Sequence, residues 1–363
     1  MLEVQKFLFN NNGNLQELTD KFGIIINKHP SDNRLILNYH QIDSYKNRFH
    51  NIVCECRGLV LDSTDFSIVA KGFNRFFNLG EHPDDEKFNW EKCQTYEKVD
   101  GSYIALYNWG GKWRVNTRNS FGDGVISQAF NQTWQNLVFE ILKRENVELD
   151  KLDVNFCYIL ELCSRYNKVV RDYPIPQLFH LGTFNICDGQ EVFREIPNIK
   201  FPVKYEFSSK DDVLSFLKKQ ENDDHTFEGV VLNDGNKRIK VKSQSYLQLH
   251  TLSNNGNLFH LNSLVPWLLR EGPEEICVYF KEREEYIRKV DLKINKLLDE
   301  IYFLWEDVKQ CSSKKEISKH SSNKIPLFNM LYSAYDRQTH PKNVIHLYQD
   351  TIIKLMKNEQ EKN

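Results

Sequence analysis

The sequence predicts an α+β fold over residues 1–250 and an all-α region over residues 251–363. Two observations carry this expectation. Up to about Leu249, short apolar runs bounded by Gly, Asn or Asp dominate, with a few stretches at helical spacing between them. Beyond His250 the strand-like runs stop, and apolar residues step by three or four to the end of the chain.

The runs Leu59-Val60-Leu61, Ile104-Ala105-Leu106-Tyr107, Tyr158-Ile159-Leu160-Glu161-Leu162 and Val230-Val231-Leu232 read as strands. Ile126–Lys143 and Lys210–Lys219 read as helices. Leu252 to Asn262, which contains Asn254-Asn255-Gly256-Asn257, reads as a polar connector. Val290, Ile294, Leu297, Ile301, Trp305 and Val308 then define one face of a long helix, and Leu327–Tyr335 and Val344–Met356 read as further helices. Between them, Cys311–Lys324 carries Lys314, Lys315, Lys319 and Lys324 against the single acid Glu316 and reads as a basic loop.

A chain of 363 residues, 40% hydrophobic and 27% charged, has enough apolar material for two cores. Its net charge of -2 excludes a protein that coats nucleic acid through bulk positive charge, so any polynucleotide contact must rest on local Lys and Arg clusters. The 8 cysteines form no CxxC pair, which argues against a zinc ribbon and for free thiols in a cytoplasmic protein. The N-terminal residues do not read as a signal peptide, and no apolar run is long enough to span a bilayer.

The chemistry centres on Lys98-Val99-Asp100-Gly101-Ser102, which precedes a strand. Average residue frequencies give Lys-x-Asp-Gly-Ser on the order of once in 10⁵ positions. Asp-Gly between apolar runs is also a common hairpin turn. As a nucleophile, a deprotonated Lys amine can attack a nucleotide α-phosphate, provided that other groups lower its pKa from about 10.4. Basic residues that can converge on the same phosphate are Arg57, Arg75, Arg118 and the alternating pair Lys240 and Lys242, which share one strand face. Taken singly, each is an ordinary solvated charge; their number and order give them weight. Glu161 lies inside an apolar run and Glu228 opens another. Each is either on a solvated strand face or at work, one on a ribose and the other on Mg²⁺.

The order Lys98-x-Asp-Gly-Ser, Glu161, Glu228-Gly-Val-Val, Lys240-x-Lys242 resembles motifs I, III, IV and V of covalent nucleotidyltransferases. Upstream, Glu55-Cys56-Arg57-Gly58 and Phe76-Phe77-Asn78-Leu79-Gly80-Glu81 resemble the phage-type RNA ligase 1 family, as do Arg165 to Val170 and Ser243 to His250 downstream. The resemblance covers roughly the first 250 residues. It implies an adenylyltransferase domain of ATP-grasp-like antiparallel sheets with helices, followed by a helical RNA-specificity domain. It also implies Lys98 as the adenylated nucleophile, Glu161 at the ribose, Glu228 at the metal, Lys240 and Lys242 at the α-phosphate, and Arg57, Arg75 and Arg118 along the triphosphate. Tyr39 and Tyr246 would line the nucleotide pocket. Family members often carry Lys where this chain has Arg75 and Arg118, which keeps the charge but changes the geometry. A C-terminal metal-ligating Asp has no plain counterpart; Glu274 and Glu275 stand in about the right place.

The implied reaction consumes ATP with Mg²⁺ (Mn²⁺ as a substitute) and joins 5′-phosphate to 3′-hydroxyl ends of single-stranded RNA or broken tRNA. A monomer without membrane or DNA partners is the expectation. DNA ligases and capping enzymes usually extend the motif to Lys-x-Asp-Gly-x-Arg, where this chain has Tyr103. A non-catalytic RNA-binding relative is the alternative from another class.

Overall fold

The first sheet contains β1 (Ile24–Lys28), β2 (Arg34–Tyr39), β3 (Arg57–Asp62) and β4 (Ile68–Ala70), antiparallel in that order. Successive side chains alternate between its faces. Leu35, Leu37, Leu59 and Leu61 pack on helices α1 (Glu3–Asn10), α2 (Leu15–Phe22) and α3 (Asn51–Glu55), while Ile36, Val60 and Ala70 face the second sheet. In the computed structural model, which describes residues 1–41, 43–127, 131–247, 259–320 and 325–360, the chain divides into two compact units, Met1–His250 and Thr251–Asn363.

Strands β5 (Phe77–Asn78) and β6 (Gln94–Glu97) belong to the third sheet. The second sheet is formed by β7 (Ser102–Trp109), β8 (Lys112–Asn116), β11 (Phe156–Cys163), β12 (Gln177–Asn185) and β13 (Glu191–Val192), in the order 13-12-11-7-8 and antiparallel throughout. β9 (Val125–Ser127) and β10 (Gln132–Thr133) form a short ribbon beside it. Tyr103, Ala105, Tyr107, Cys157 and Ile159 pack against the first sheet. Ile104, Leu106, Leu160 and Leu162 pack on α4 (Trp134–Arg144) through Leu137, Val138, Ile141 and Leu142. Cover on both faces explains why these strands read as continuous apolar runs.

The third sheet runs β14 (Lys204–Tyr205), β6, β15 (Gly229–Asn233), β16 (Arg238–Lys242), β5. Its pairs are antiparallel except β16 with β5, which is parallel. Helix α5 (Lys210–Asp223) buries Val213 and Leu217 against Val230, Leu232, Ile239 and Val241. In the second unit the longest described helix is Glu284–Val308, with Ile287, Val290, Ile294, Leu298, Ile301, Trp305 and Val308 buried. No described helix is long and apolar enough to cross a membrane, and all eight cysteines are free thiols.

Antiparallel sheets with helices, then a helical C-terminal region, match the expected class. Several boundaries differ. The helix expected over Ile126–Lys143 begins only at Trp134, where the Thr133 hydroxyl accepts the Asn136 amide as an N-cap. The residues before it include β9 and β10, and 128–130 lie outside the described residues. Leu297 is only half-buried, and the long helix instead buries Leu298. Val344–Met356 divides into a 3₁₀ segment, Pro341–Tyr348, and a helix, Gln349–Gln360. The basic loop at Cys311–Lys324 contains a helix, Lys314–Lys319, capped by Ser313, and Lys314 pairs with Asp336 at 2.6 Å; Lys324 lies outside the described residues. Most of the connector also lies outside them, and Leu261 and Asn262 already belong to the helix Leu261–Glu271.

Candidate active site

Lys98 follows β6, and its amide donates to the Gly229 carbonyl at 2.8 Å, which fixes the lysine beside the start of β15. Its ammonium lies 2.6 Å from Glu228 Oε1, and Lys242 Nζ lies 3.7 Å from the same oxygen. Glu228 is 6% exposed, and a carboxylate so buried must be paired. Two glycines permit this packing. Gly229 has φ +145, and a Cβ there would overlap the Val241 carbonyl oxygen. A Cβ on Gly101 would lie 2.5 Å from the Leu162 carbonyl and 2.9 Å from Glu161 Cγ, so only glycine brings the Lys98 turn against β11.

Asp100 is buried and works as a clamp. Its Oδ1 accepts from the Tyr246 hydroxyl at 2.7 Å, and its Oδ2 accepts from the amides of Val170 (3.0 Å) and Arg171 (2.7 Å). Ser102 is held by Asn167 Nδ2 at 2.8 Å. The motif lysine therefore stands on a turn braced by residues 167–171, by Tyr246 and, through its own amide, by Gly229. Tyr246 is part of this brace: its ring is buried and its hydroxyl is directed at Asp100.

Glu161 pairs in register with Tyr103 of β7, whose side chain lies in the core between the first and second sheets. Directly paired residues share a face, so Glu161 points inward and not to a solvated strand face. Burial pushes its carboxyl up to about 7, opposed by Lys98 and Arg57 and reinforced by Glu228 and Asp100. These couplings place Glu161 beside the lysine and its partner.

The remaining cations gather around Tyr39, at the end of β2. Arg75 stacks 4.2 Å from its ring centroid and Arg118 lies 5.5 Å away. Burial would raise the Tyr39 phenol, but Arg118, Arg75, Arg57 and Lys240 outweigh it and hold the group below its ordinary value. Arg57 lies over Tyr103 and Phe76, at 5.2 and 5.5 Å; burial first, then Arg118, pulls its guanidinium below the usual range. Arg118 is positioned by the next residue, Asn119, which accepts from the side-chain amides of Asn38 and, at its carbonyl, Asn27. Arg75 is positioned by its amide, which donates to the Cys54 carbonyl at 2.7 Å. Among the described residues no carboxylate forms an ion pair with Arg57, Arg75 or Arg118, and the buried Nη1 atoms of Arg57 and Arg75 have no hydrogen-bond partner. Buried guanidinium nitrogens in that state are ready for an anion.

The first unit thus brings together Lys98, Glu161, Glu228, Lys240, Lys242, Tyr39, Arg57, Arg75 and Arg118. Glu274 and Glu275 lie in the second unit, where Glu274 bonds Arg288 at 3.2 Å and Glu275 is buried. Sequence reasoning missed the bracing role of Asp100, although the residue lies inside the motif. It also missed Glu55, whose carboxylate caps α1 by accepting the amides of Glu3 (3.1 Å) and Val4 (2.9 Å). Phe179, paired with Glu161 across β11 and β12 and carrying Lys200 Nζ 4.6 Å from its ring, was missed because only the strand register reveals it.

A motif lysine held by a buried glutamate, beside arginines that have no ion-paired carboxylate among the described residues, matches the arrangement expected of a nucleotidyltransferase site. More narrowly, the chain belongs to the RNA ligase family, whose model matches residues 55–247, more than half of its length. It is 31% identical over 271 residues to a bifunctional polynucleotide kinase/RNA ligase of Autographa californica nuclear polyhedrosis virus, covering 69% of this chain and 38% of that protein. It is 23% identical over 303 residues to the RNA ligase of Rhodothermus phage RM378, covering 62% of this chain and 68% of the phage protein. Among solved structures, an archaeal ATP-dependent RNA ligase is similar with a TM-score of 0.43 at 12% identity, covering 74% of this chain and 68% of that one.

Proposed function

We propose that this chain is an ATP-dependent RNA ligase that works through a lysyl-AMP on Lys98. The Lys98–Glu228 contact, beside cations whose buried nitrogens lack partners, carries this reading. In the first step Lys98 Nζ attacks the α-phosphorus, a P–N bond forms, the bond to the β-phosphate oxygen breaks, and pyrophosphate leaves. An RNA 5′-phosphate oxygen then attacks the same phosphorus. The P–N bond breaks, and Nζ recovers its electron pair and a proton. Finally a 3′-hydroxyl attacks the activated 5′-phosphate and AMP departs. Each step is an in-line displacement, so the protein's contribution is placement and charge neutralisation.

Arg57, Arg75 and Arg118 would receive the β- and γ-phosphates, and Lys240 and Lys242 the α-phosphate. Glu161 would meet the ribose. Phe179, beside Glu161, would offer its face to the adenine. No group of three His, Cys, Asp or Glu fit to cage a metal occurs among the described residues. Mg²⁺ needs none: it is commonly held by one or two carboxylates together with substrate phosphates. Glu228 fits that role, and Mn²⁺ would substitute. A divalent ion bound there would neutralise phosphate charge.

The substrate class is single-stranded RNA, including broken tRNA, with no DNA or membrane partner. Residues 1–250 would form the adenylyltransferase domain and 251–363 a substrate-selecting domain. We place the protein in the cytoplasm, as a monomer.

The test is incubation with α-labelled ATP and Mg²⁺, then a denaturing gel, with a 5′-phosphorylated RNA added afterwards. Label on the wild type and joined RNA are expected. No label on a protein stripped of bound AMP would overturn the reading in favour of a non-catalytic RNA-binding relative, and label from GTP alone would favour a capping-type enzyme.

A further inference from the structure

The cations around Tyr39 continue outward as a ladder of cations and aromatic rings. Arg75 lies 5.1 Å from the Phe77 ring centroid as well as 4.2 Å from that of Tyr39. Phe77 packs on Phe49 (4.9 Å) and on His82 (5.5 Å), and Phe49 on His82 (4.5 Å). Arg48 is then sandwiched between Phe49, at 4.4 Å, and Tyr45, at 4.2 Å. Its Nε is buried without a hydrogen-bond partner, while Nη1 donates to the Tyr45 carbonyl at 3.1 Å. Nearby carboxylates are engaged elsewhere: Glu81 accepts from the Asn78 amide and side chain, and Asp85 pairs with Lys237 at 2.8 Å.

Stereochemistry assigns this ladder a direction. In an in-line displacement the entering group approaches opposite the leaving group. Pyrophosphate leaves opposite Lys98 in the first step, and Lys98 is itself the leaving group in the second. The RNA 5′-phosphate must therefore enter from the side that pyrophosphate vacated. On the reading above, which this inference rests on, that side is Arg75, and the ladder continues from it through side-chain contacts with Phe77, Phe49 and Arg48. Cations interspersed with aromatic rings suit a single strand, whose phosphates meet the guanidinium groups while its bases stack.

We propose that Tyr45, Arg48, Phe49 and His82 form the path of the 5′-phosphorylated RNA strand, with Arg48 on a backbone phosphate and Phe49 under a base. None of these four touches Lys98, and their work is confined to positioning the RNA acceptor for AMP transfer.

The test uses full-length protein, adenylylated with ATP and freed of pyrophosphate. AMP transfer is then timed in single turnover to 5′-phosphorylated oligoadenylate of one and of ten nucleotides. Arg48→Ala and Phe49→Leu should both form lysyl-AMP at the wild-type rate. Transfer to the longer acceptor should fall about tenfold, in line with the loss of one stacked or ion-paired nucleotide, while transfer to the mononucleotide should hold. Arg48→Lys should recover part of the loss, and Arg48→Ala should lessen the salt slope of RNA binding by about 0.7. Wild-type transfer to the longer acceptor in both variants would overturn the proposal. So would an equal fall for both acceptors, which would make the ladder a support of the nucleotide pocket. If Phe49→Leu fails to fold, Arg48→Ala decides alone. Failure of the wild type to form lysyl-AMP would instead sink the ligase reading itself.

Discussion

The two halves of the site handle charge in opposite ways. Around Lys98, cations have a carboxylate partner: Glu228 holds the motif lysine at 2.6 Å and lies 3.7 Å from Lys242. Around Tyr39, Arg57, Arg75 and Arg118 have aromatic neighbours and no ion-paired acid among the described residues. Burying like charges without counterions costs free energy that packing elsewhere must offset. The first half holds Lys98, the proposed nucleophile, in a neutralised pair; the second stores positive charge that an incoming anion would relieve. A folded protein tolerates the second arrangement where substrate completes it.

Substitutions should separate the halves. The largest expected effect is at Lys98: Lys98→Ala should abolish lysyl-AMP formation, a loss beyond about a thousandfold, while leaving the circular dichroism spectrum and unfolding midpoint near wild type. A labelled Lys98→Ala band would place the nucleophile elsewhere.

In the cationic half, Arg57→Ala or Arg75→Ala should cost about 1.5–3 kcal/mol of phosphate binding, roughly 10- to 150-fold in kcat/KM for ATP. Each should also stabilise the unliganded protein or leave it unchanged, because a buried charge lacking a counterion is removed. Unfolding midpoints without nucleotide check this, and a clear drop for both would contradict the stored-charge view. Lys240→Ala and Lys242→Ala should weaken self-adenylation similarly, measured by the initial rate of label incorporation.

Glu161 gives a pH test. Its carboxyl is raised from the usual value to about 7. The folded state therefore holds a proton that the unfolded state has lost between about pH 4.5 and 7, and stability falls as pH rises through that window. Glu161→Gln should raise the unfolding midpoint by a few degrees at pH 8, matching about 2–3 kcal/mol, and by nothing below pH 4.5. A midpoint difference that stays constant with pH would mean that the carboxyl is not perturbed. The smallest expected effect is Tyr246→Phe, about 1–2 kcal/mol in urea unfolding for one buried hydrogen bond to Asp100, with modest slowing of adenylation.

Much of this was legible in the sequence, for uneven reasons. The runs at 59–61, 104–107 and 158–162 emerged as β3, β7 and β11 because each is apolar enough to be buried on both faces, and 230–232 emerged as β15, which buries Val230 and Leu232 on one face. The spacing of Lys240 and Lys242 gave a shared strand face without further information. What could not be read was any property that depends on pairing between distant segments. That Glu161 faces inward follows from its register with Tyr103, and that Asp100 braces Val170, Arg171 and Tyr246 follows from the crossing of two distant segments. Helix starts failed where a local cap decided them, as at Thr133.

The pairing of β16 with β5 has a mechanical consequence. It is parallel and only two residues long, Ile239 with Phe77 and Lys240 with Asn78, extended by the Leu79 amide on the Lys240 carbonyl at 3.0 Å. Through it the strand of Lys240 and the segment that follows Arg75 are rungs of one ladder. In amide hydrogen exchange the backbone around 77–79 and 239–240 should open as one unit, and a nucleotide that grips either end should slow deuterium uptake at both.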